Sequence, residues 1–421
     1  MTSAHPWEAE IDWRSERKCS RDLIGEPAHL ISALFALVME PLSTATASIG
    51  FTTLVVVGVL RTPALFAVWG RMLQFLWVKL LLLWLAWTAL SIAWSPDPVT
   101  GVDRLWNLKY LAWIPLLWPL HRHWKLLLGG FLFATMVLQG IQMSGEFFDC
   151  TYKGHNLRGG SRHPTMAGMW NAVALSCWLF LSVAAGWRAM ALSVPMAMLS
   201  AFGFFWAGQR AALIGIVVEL AVANTVLAFV APSWMRKAVT RGAIGSAILI
   251  CVYFVAGAHV REKVMQATRE TAQSLQGDAP EIVEARIAMW KLSLLAWERQ
   301  PVCGVGLGGY QSATAAIEVP YKKHELHVFK TPHSTYITVL TESGLVGLTL
   351  LLAWLTALFV RSVACLRLEP VRIGALGGLI IWCSAAAFDT FTARGVFLSL
   401  GAIMMALTVM PPSTPAAVRQ A

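Results

Sequence analysis

The sequence predicts an all-α polytopic membrane protein with about twelve transmembrane helices, and three observations predict it. Only 13% of the 421 residues are charged while 57% are hydrophobic, against about 25% and 45–50% in a soluble domain. So few ions cannot cover a soluble surface. The apolar residues fall in nearly uncharged runs of about 17–25 residues, the length that crosses a hydrocarbon layer as a helix. Several of the twenty tryptophans stand where such runs end, as in the aromatic belt of a membrane interface.

Taken in order, residues 1–27 are polar, with Arg14, Arg17, Lys18 and Arg21, and lack the apolar core and small-residue cleavage site of a signal peptide. They read as a cytoplasmic tail. Apolar runs at 28–42, 45–60, 73–94, 105–120, 125–144, 164–185, 189–207, 211–231 and 242–258 make transmembrane helices 1–9 within residues 28–258. Only Glu40-Pro41-Leu42-Ser43 separates the first two, so they read as a broken pair or a re-entrant hairpin. Residues 259–333 form one large loop. Within it, Pro280 to Gln300 predicts an amphipathic helix from the spacing of Ile282, Met289, Leu292 and Ala296. Pro301 and the glycines at 304, 306, 308 and 309 end that helix. Runs at 334–360, 371–388 and 395–410 complete helices 10–12 across 334–410, and 411–421 is a short tail. The two halves share no convincing similarity, which argues against an inverted-repeat transporter.

Sidedness follows from the distribution of cations. With the N-terminus inside, the short inner segments carry sixteen Lys and Arg, and the short outer segments carry six: Arg104, Lys153, Arg158, Arg162, Arg210 and Arg394. Both termini are therefore expected on the cytoplasmic side, with the 259–333 loop outside. The net charge of +10 suits inner loops facing anionic lipid, and nothing in the chain resembles a nucleic-acid-binding module. Of the seven cysteines, only Cys150 and Cys303 fall on the outer side. There a disulfide is one outcome and two free thiols the other.

The outer cations matter because that side disfavours them unless something there needs them. Arginine grips phosphate through a planar fork of donors and keeps its charge at any working pH. Lys153, Arg158 and Arg162 share one short loop, Arg210 sits at a span boundary, and Arg286 lies on the amphipathic helix. Such a group suits a lipid-linked phosphate or diphosphate; each residue taken singly also suits an anchor to lipid headgroups. Arg394 reads as a partner of Asp389. His333 ends the large loop where a span begins, and reads either as an interfacial polar residue or as a general base. Glu342, within or beside that span, reads as an arginine partner or a backbone hydrogen-bond acceptor. His324 and His327 have no third ligand at sensible spacing, so no metal is predicted. The glycine run reads as a turn rather than a phosphate cradle, since no strand precedes it and no Lys-Ser/Thr follows.

The stretch Pro332-His333-Ser334-Thr335-Tyr336, leading to Glu342-Ser343-Gly344-Leu345-Val346-Gly347, closely resembles the signature of the O-antigen ligase and polymerase superfamily. Four further pieces are similar to that family's elements in family order: Trp94-Ser95-Pro96-Asp97-Pro98, His163-Pro164-Thr165, Gln209-Arg210-Ala211-Ala212, and Arg286 to Trp290 followed by Pro301 to Gly306. Ser334 departs from the family, which commonly has Asn there. The resemblance implies a GT-C-like glycosyltransferase of a bacterial inner membrane, with its active site facing the periplasm. Such an enzyme takes a glycan from undecaprenyl diphosphate and joins it to a sugar hydroxyl of lipid A–core oligosaccharide, with inversion and with neither metal nor cofactor. On this reading His333 accepts the proton. Arg210 and Arg286 hold the diphosphate with help from Lys153, Arg158 or Arg162, and His163 and Tyr336 contact substrate. Chain length and the single modest loop favour the ligase branch over a glycan polymerase or a protein O-oligosaccharyltransferase. A twelve-span secondary transporter is the reading from another class.

Overall fold

A computed structural model describes residues 24–147, 151–152, 155–156, 164–184, 187–207, 210–255, 262, 265, 269, 281–315, 317, 331–393 and 395–411. These residues are helical nearly throughout. The exception is a two-residue antiparallel ladder pairing Thr151–Tyr152 with His155–Asn156. The helices, in order, are α1 (Gly25–Met39), α2 (Thr44–Leu60), α3 (Thr62–Met72), α4 (Leu76–Leu90), α5 (Pro98–Asn107), α6 (Trp113–Leu117), α7 (Trp124–Phe147) and α8 (Pro164–Ala184). Then come α9 (Trp187–Ala207), α10 (Arg210–Val230), α11 (Met235–Val255), α12 (Glu281–Glu298), α13 (Tyr310–Thr314), α14 (Thr335–Leu368), α15 (Ile373–Ala385) and α16 (Gly395–Val409).

Most predicted spans correspond to one of these helices, and two departures have local causes. The run 105–120 is not one helix. It breaks into the end of α5, the short α6 and 3-10 turns at Leu108–Ala112 and Trp118–His123, where Pro119 and the non-helical Leu120 interrupt the ladder. Helix α3 was not predicted: the chain bends 96° between α2 and α3 at Arg61, and Pro63 in the first turn of α3 suits the new start. By length and apolarity, five helical segments among the described residues are able to cross a membrane, or six if the bent pair counts as one. Four shorter apolar helices accompany them. The chain is thus a multi-helix, membrane-type fold; among the described residues helix length and apolarity support five or six spans, which leaves the expected twelve unconfirmed. Several predicted spans have fewer than 18 apolar residues in helical form, and α11 opens with Arg236, Lys237 and Arg241.

The centre of the bundle is built from α8, α15 and α16, whose residues are buried on nearly every side. Around them, α4, α10 and α14 turn large apolar side chains outward, among them Leu83, Val217 and Val360. An exposed apolar wall with a buried polar minority is the inverse of a soluble fold, as expected when lipid is the solvent. Close approach is secured by small residues. A Cβ on Gly374 would lie 3.0 Å from Cys177 Cα, and one on Gly215 would lie 2.9 Å from the Ile381 carbonyl oxygen. Trp84 of α4 stacks on Trp354 of α14 with ring centroids 5.6 Å apart. At the end of the bundle away from His333, Arg372 donates to the carbonyls of Leu407, Met410 and Pro411, satisfying the last turn of α16.

Candidate active site

The signature segment folds as a span entry. Ser334 is the N-cap of α14, its hydroxyl accepting the Ile337 N–H. His333, just outside the cap, has φ +52°. A non-glycine residue in the left-handed region is uncommon, although histidine is among the types enriched there. The conformation is held from both sides. The Trp290 indole N–H of α12 donates to the Pro332 carbonyl at 3.0 Å, and the Thr335 N–H donates to the carbonyls of Ala386 and Asp389 at 2.8 and 3.0 Å. The imidazole remains partly exposed, and its Nδ1 lies 3.4 Å from Asp389 Oδ1. That oxygen also accepts the Thr390 N–H at 2.8 Å.

Of the expected arginines, Arg286 lies on α12 one turn before Trp290, about 6 Å along the axis and on the same face. It is therefore near the point where Trp290 grips Pro332. The inner face of that helix packs Met289, Leu292 and Ala296 with Ile317, three of the four positions of the predicted stripe, while Ile287, Leu294 and Leu295 stay exposed; the side chain of Ile282 is not among those described. The backbone of Arg210 starts α10. Helices α10 and α15 run antiparallel, since Gly215 abuts Ile381 and Glu219 abuts Gly377. The same register brings residue 210 level with Ala386, whose carbonyl receives the Thr335 N–H. His333, Asp389, the start of α10 and the Arg286 turn of α12 thus gather at one end of the bundle. Tyr336, expected to touch substrate, donates its hydroxyl to the Cys383 carbonyl at 2.8 Å, joining α14 to α15. Lys153, Arg158, Arg162 and His163 lie outside the described residues, as do Arg394, Cys150, His324 and His327. Cys303 is an exposed thiol without a disulfide partner among the described residues, and its expected alternative partner Cys150 is not one of these. Among the described residues, no three His, Cys, Asp or Glu side chains gather at metal-ligating distance.

Beneath His333 the two remaining signature pieces interlock. Helix α14 is interrupted at Gly344, with φ +67° and ψ −168°, a region open essentially to glycine alone. The interruption frees backbone groups in a span, where unpaired groups are costly. The 301–306 loop supplies the missing partners. Val305 and Gly306 N–H donate to the carbonyls of Thr341 and Glu342, each at 2.9 Å, and Leu345 and Val346 N–H donate to those of Pro301 and Val302 at 2.9 and 3.2 Å. The glycines of this loop allow backbone to meet backbone: a Cβ on Gly306 would lie 2.4 Å from Ser95 Cα, and one on Gly308 would lie 2.3 Å from Gly101 N. Leu307 N–H is taken by the Ser91 hydroxyl at 3.2 Å. The glycine run is therefore a docking turn whose donors are spent on protein.

Glu342 is fully buried and forms an ion pair with Arg104 of α5, while the backbone N–H groups of Gly308 and Tyr310 also point to its carboxylate. Both side chains line a small, partly enclosed cleft, with Thr88, Thr338, Ser343 and Thr392 among its walls. None of the expected catalytic residues lines it. Helix α5 is itself capped by Asp97, whose carboxyl is held below the ordinary carboxylate range chiefly by the Thr100 N–H and hydroxyl.

The roles of two residues in this region are not visible in the sequence pattern. That pattern places Arg104 only as an outer cation, and it pairs Asp389 with Arg394, which lies outside the described residues, without pointing to His333. One signal was available: residues 331–411 contain only three acids, Glu342, Glu369 and Asp389. All three face cations or a histidine: Arg104, Arg372 and His333. An acid retained in so apolar a segment calls for a partner.

No curated protein matches the chain. A family match does exist, and it spans Arg210, Arg286, His333 and Glu342 while leaving Arg104 and Asp389 outside. Residues 195–352 match the family model described as O-antigen ligase, and that match supports membership of the O-antigen ligase/polymerase superfamily.

Proposed function

We propose that the protein is an O-antigen ligase that transfers a glycan from undecaprenyl diphosphate to a sugar hydroxyl of lipid A–core, at the periplasmic face of a bacterial inner membrane. The family supports an enzyme that handles a lipid-linked glycan and a lipid acceptor. The observation that carries the finer reading is His333, held in a left-handed conformation at the mouth of a span with Asp389 facing its Nδ1.

The acceptor hydroxyl attacks the anomeric carbon and its proton passes to Nε2 of His333, the ring nitrogen away from Asp389. The bond from the anomeric carbon to the diphosphate oxygen breaks, and the electron pair leaves with undecaprenyl diphosphate. Asp389 balances the imidazolium that forms. Arg210 and Arg286, with Lys153, Arg158 or Arg162, bear the charge growing on the diphosphate, and His163 and Tyr336 complete the substrate contacts, Tyr336 through its ring or its remaining lone pairs. Diphosphate is a good leaving group, so positioning and charge stabilisation are the larger tasks.

The test supplies purified protein with undecaprenyl-diphosphate glycan and lipid A–core, without nucleotide. Joined lipopolysaccharide is the expected product. Glycan elongation without core would select the polymerase instead, and flux driven by a proton gradient in liposomes, with no transfer, would select a transporter.

A further inference from the structure

A base at a loop end is only as well placed as the loop. His333 and Asp389 come from separate segments, one preceding α14 and the other in the turn between α15 and α16. Thr335 is where the two segments are tied. It is buried and is the first residue of α14, so it has no carbonyl of the same helix one turn back to bond, the usual fate of a helical threonine hydroxyl. Its hydroxyl instead donates to the Asp389 carbonyl at 2.8 Å and accepts the Phe391 N–H at 2.8 Å. Its own N–H meets the Ala386 and Asp389 carbonyls. The residues on either side of Thr390 are thereby held by one side chain, and Thr390 N–H in turn orients the Asp389 carboxylate. The neighbouring ties do not reach the pair: Tyr336 bonds Cys383, and Thr338 contacts Thr390 only through hydroxyls 3.2 Å apart.

We infer that Thr335 is a positioning residue of the transfer reaction, its hydroxyl clamping the Asp389 segment to the His333 turn so that carboxylate and imidazole stay aligned. The inference rests on the reading of His333 as proton acceptor. It concerns turnover rather than binding, because Thr335 acts through Asp389 and not on either substrate.

The experiment measures transfer kinetics of the full-length protein, purified in detergent at equal monodisperse yield, for Thr335→Val, Thr335→Ser, Asp389→Asn and the Thr335→Val/Asp389→Asn double variant, with His333→Ala as reference. Thr335→Val keeps shape and loses the hydroxyl; kcat is expected to fall at least tenfold, with KM for donor and acceptor within about twofold of wild type. Thr335→Ser is expected to retain kcat within about threefold. The double variant is expected to be no slower than Asp389→Asn alone, since both substitutions remove one alignment. If Thr335→Val is not recovered folded, Thr335→Ala takes its place in the same comparison. Wild-type kcat in the hydroxyl-free variant, a loss shared equally by Thr335→Ser, or additive losses in the double variant would each overturn the inference. Full activity in His333→Ala would instead overturn the reading beneath it, and Thr335 would fall with it.

Discussion

Holding His333 at φ +52° costs on the order of 1–3 kcal/mol, which surrounding contacts must offset. Trp290 and Thr335 supply those contacts from opposite sides, and the imidazole they place faces Asp389. Strain of this kind clusters at working sites, so conformation and chemistry need to be separated by substitution. Asparagine also tolerates the left-handed region but is no base. His333→Asn is therefore expected to keep the fold and lose about 10²–10⁴ in transfer rate, read as product formed per mole of monodisperse protein. Arg210→Ala is expected to lose about 10²–10³ with unchanged thermal stability, the loss that follows removal of one donor to a developing charge. Activity at wild-type level in either variant would remove that residue from the mechanism.

The unit that matters at the next scale is the broken helix α14 with the loop docked into it. Gly344 permits the break, Pro301 to Gly306 repair its hydrogen bonds, and Glu342 collects Arg104 and two loop N–H groups. The signature Glu-x-Gly and the glycine run are thus legible as one packing device, one turn or more inward of His333. A Cβ on Gly344 would lie 2.1 Å from the Val302 carbonyl oxygen, so Gly344→Ala must both enter a region barred to side chains and displace backbone. A loss of about 2 kcal/mol or more is expected, measured as a lowered unfolding temperature in detergent; an unchanged temperature would mean that the break is not held as described. Glu342→Gln leaves the Arg104 guanidinium buried without its counter-charge, and a cost of about 3–5 kcal/mol is expected by the same measurement.

At the scale of the whole bundle, several buried polar side chains among the described residues form paired islands in an apolar surround. Arg241 of α11 and Glu219 of α10 form one such island, an ion pair fully withdrawn from solvent, with Ser176 and Asn224 each 3.2 Å from the guanidinium. A second joins Gln139, Gln142, Asn171 and Ser200 across α7, α8 and α9. Removing one member of the ion pair strands the other, so Glu219→Leu is expected to destabilise by about 3–5 kcal/mol, and Glu219→Leu/Arg241→Met to recover most of that loss. A double variant no better than the single one would assign the pair a role beyond mutual neutralisation.

The sequence by itself determined the solvent, the helical character and most helix positions, because charge scarcity and run length are local properties that any bundle must obey. It also located His333 at a span entry and Arg286 on an amphipathic helix, since both follow from patterns within a few turns. Only the tertiary structure decided the partners. Arg104 and Glu342 are 238 residues apart, the 301–306 loop completes a helix that begins thirty residues later, and Asp389 turns to His333. Such pairings are settled by which helix packs on which, and no local period encodes that. The same limit explains the span count: composition shows that a run is apolar, whereas packing determines whether it forms one long helix, a bent pair or a string of short turns.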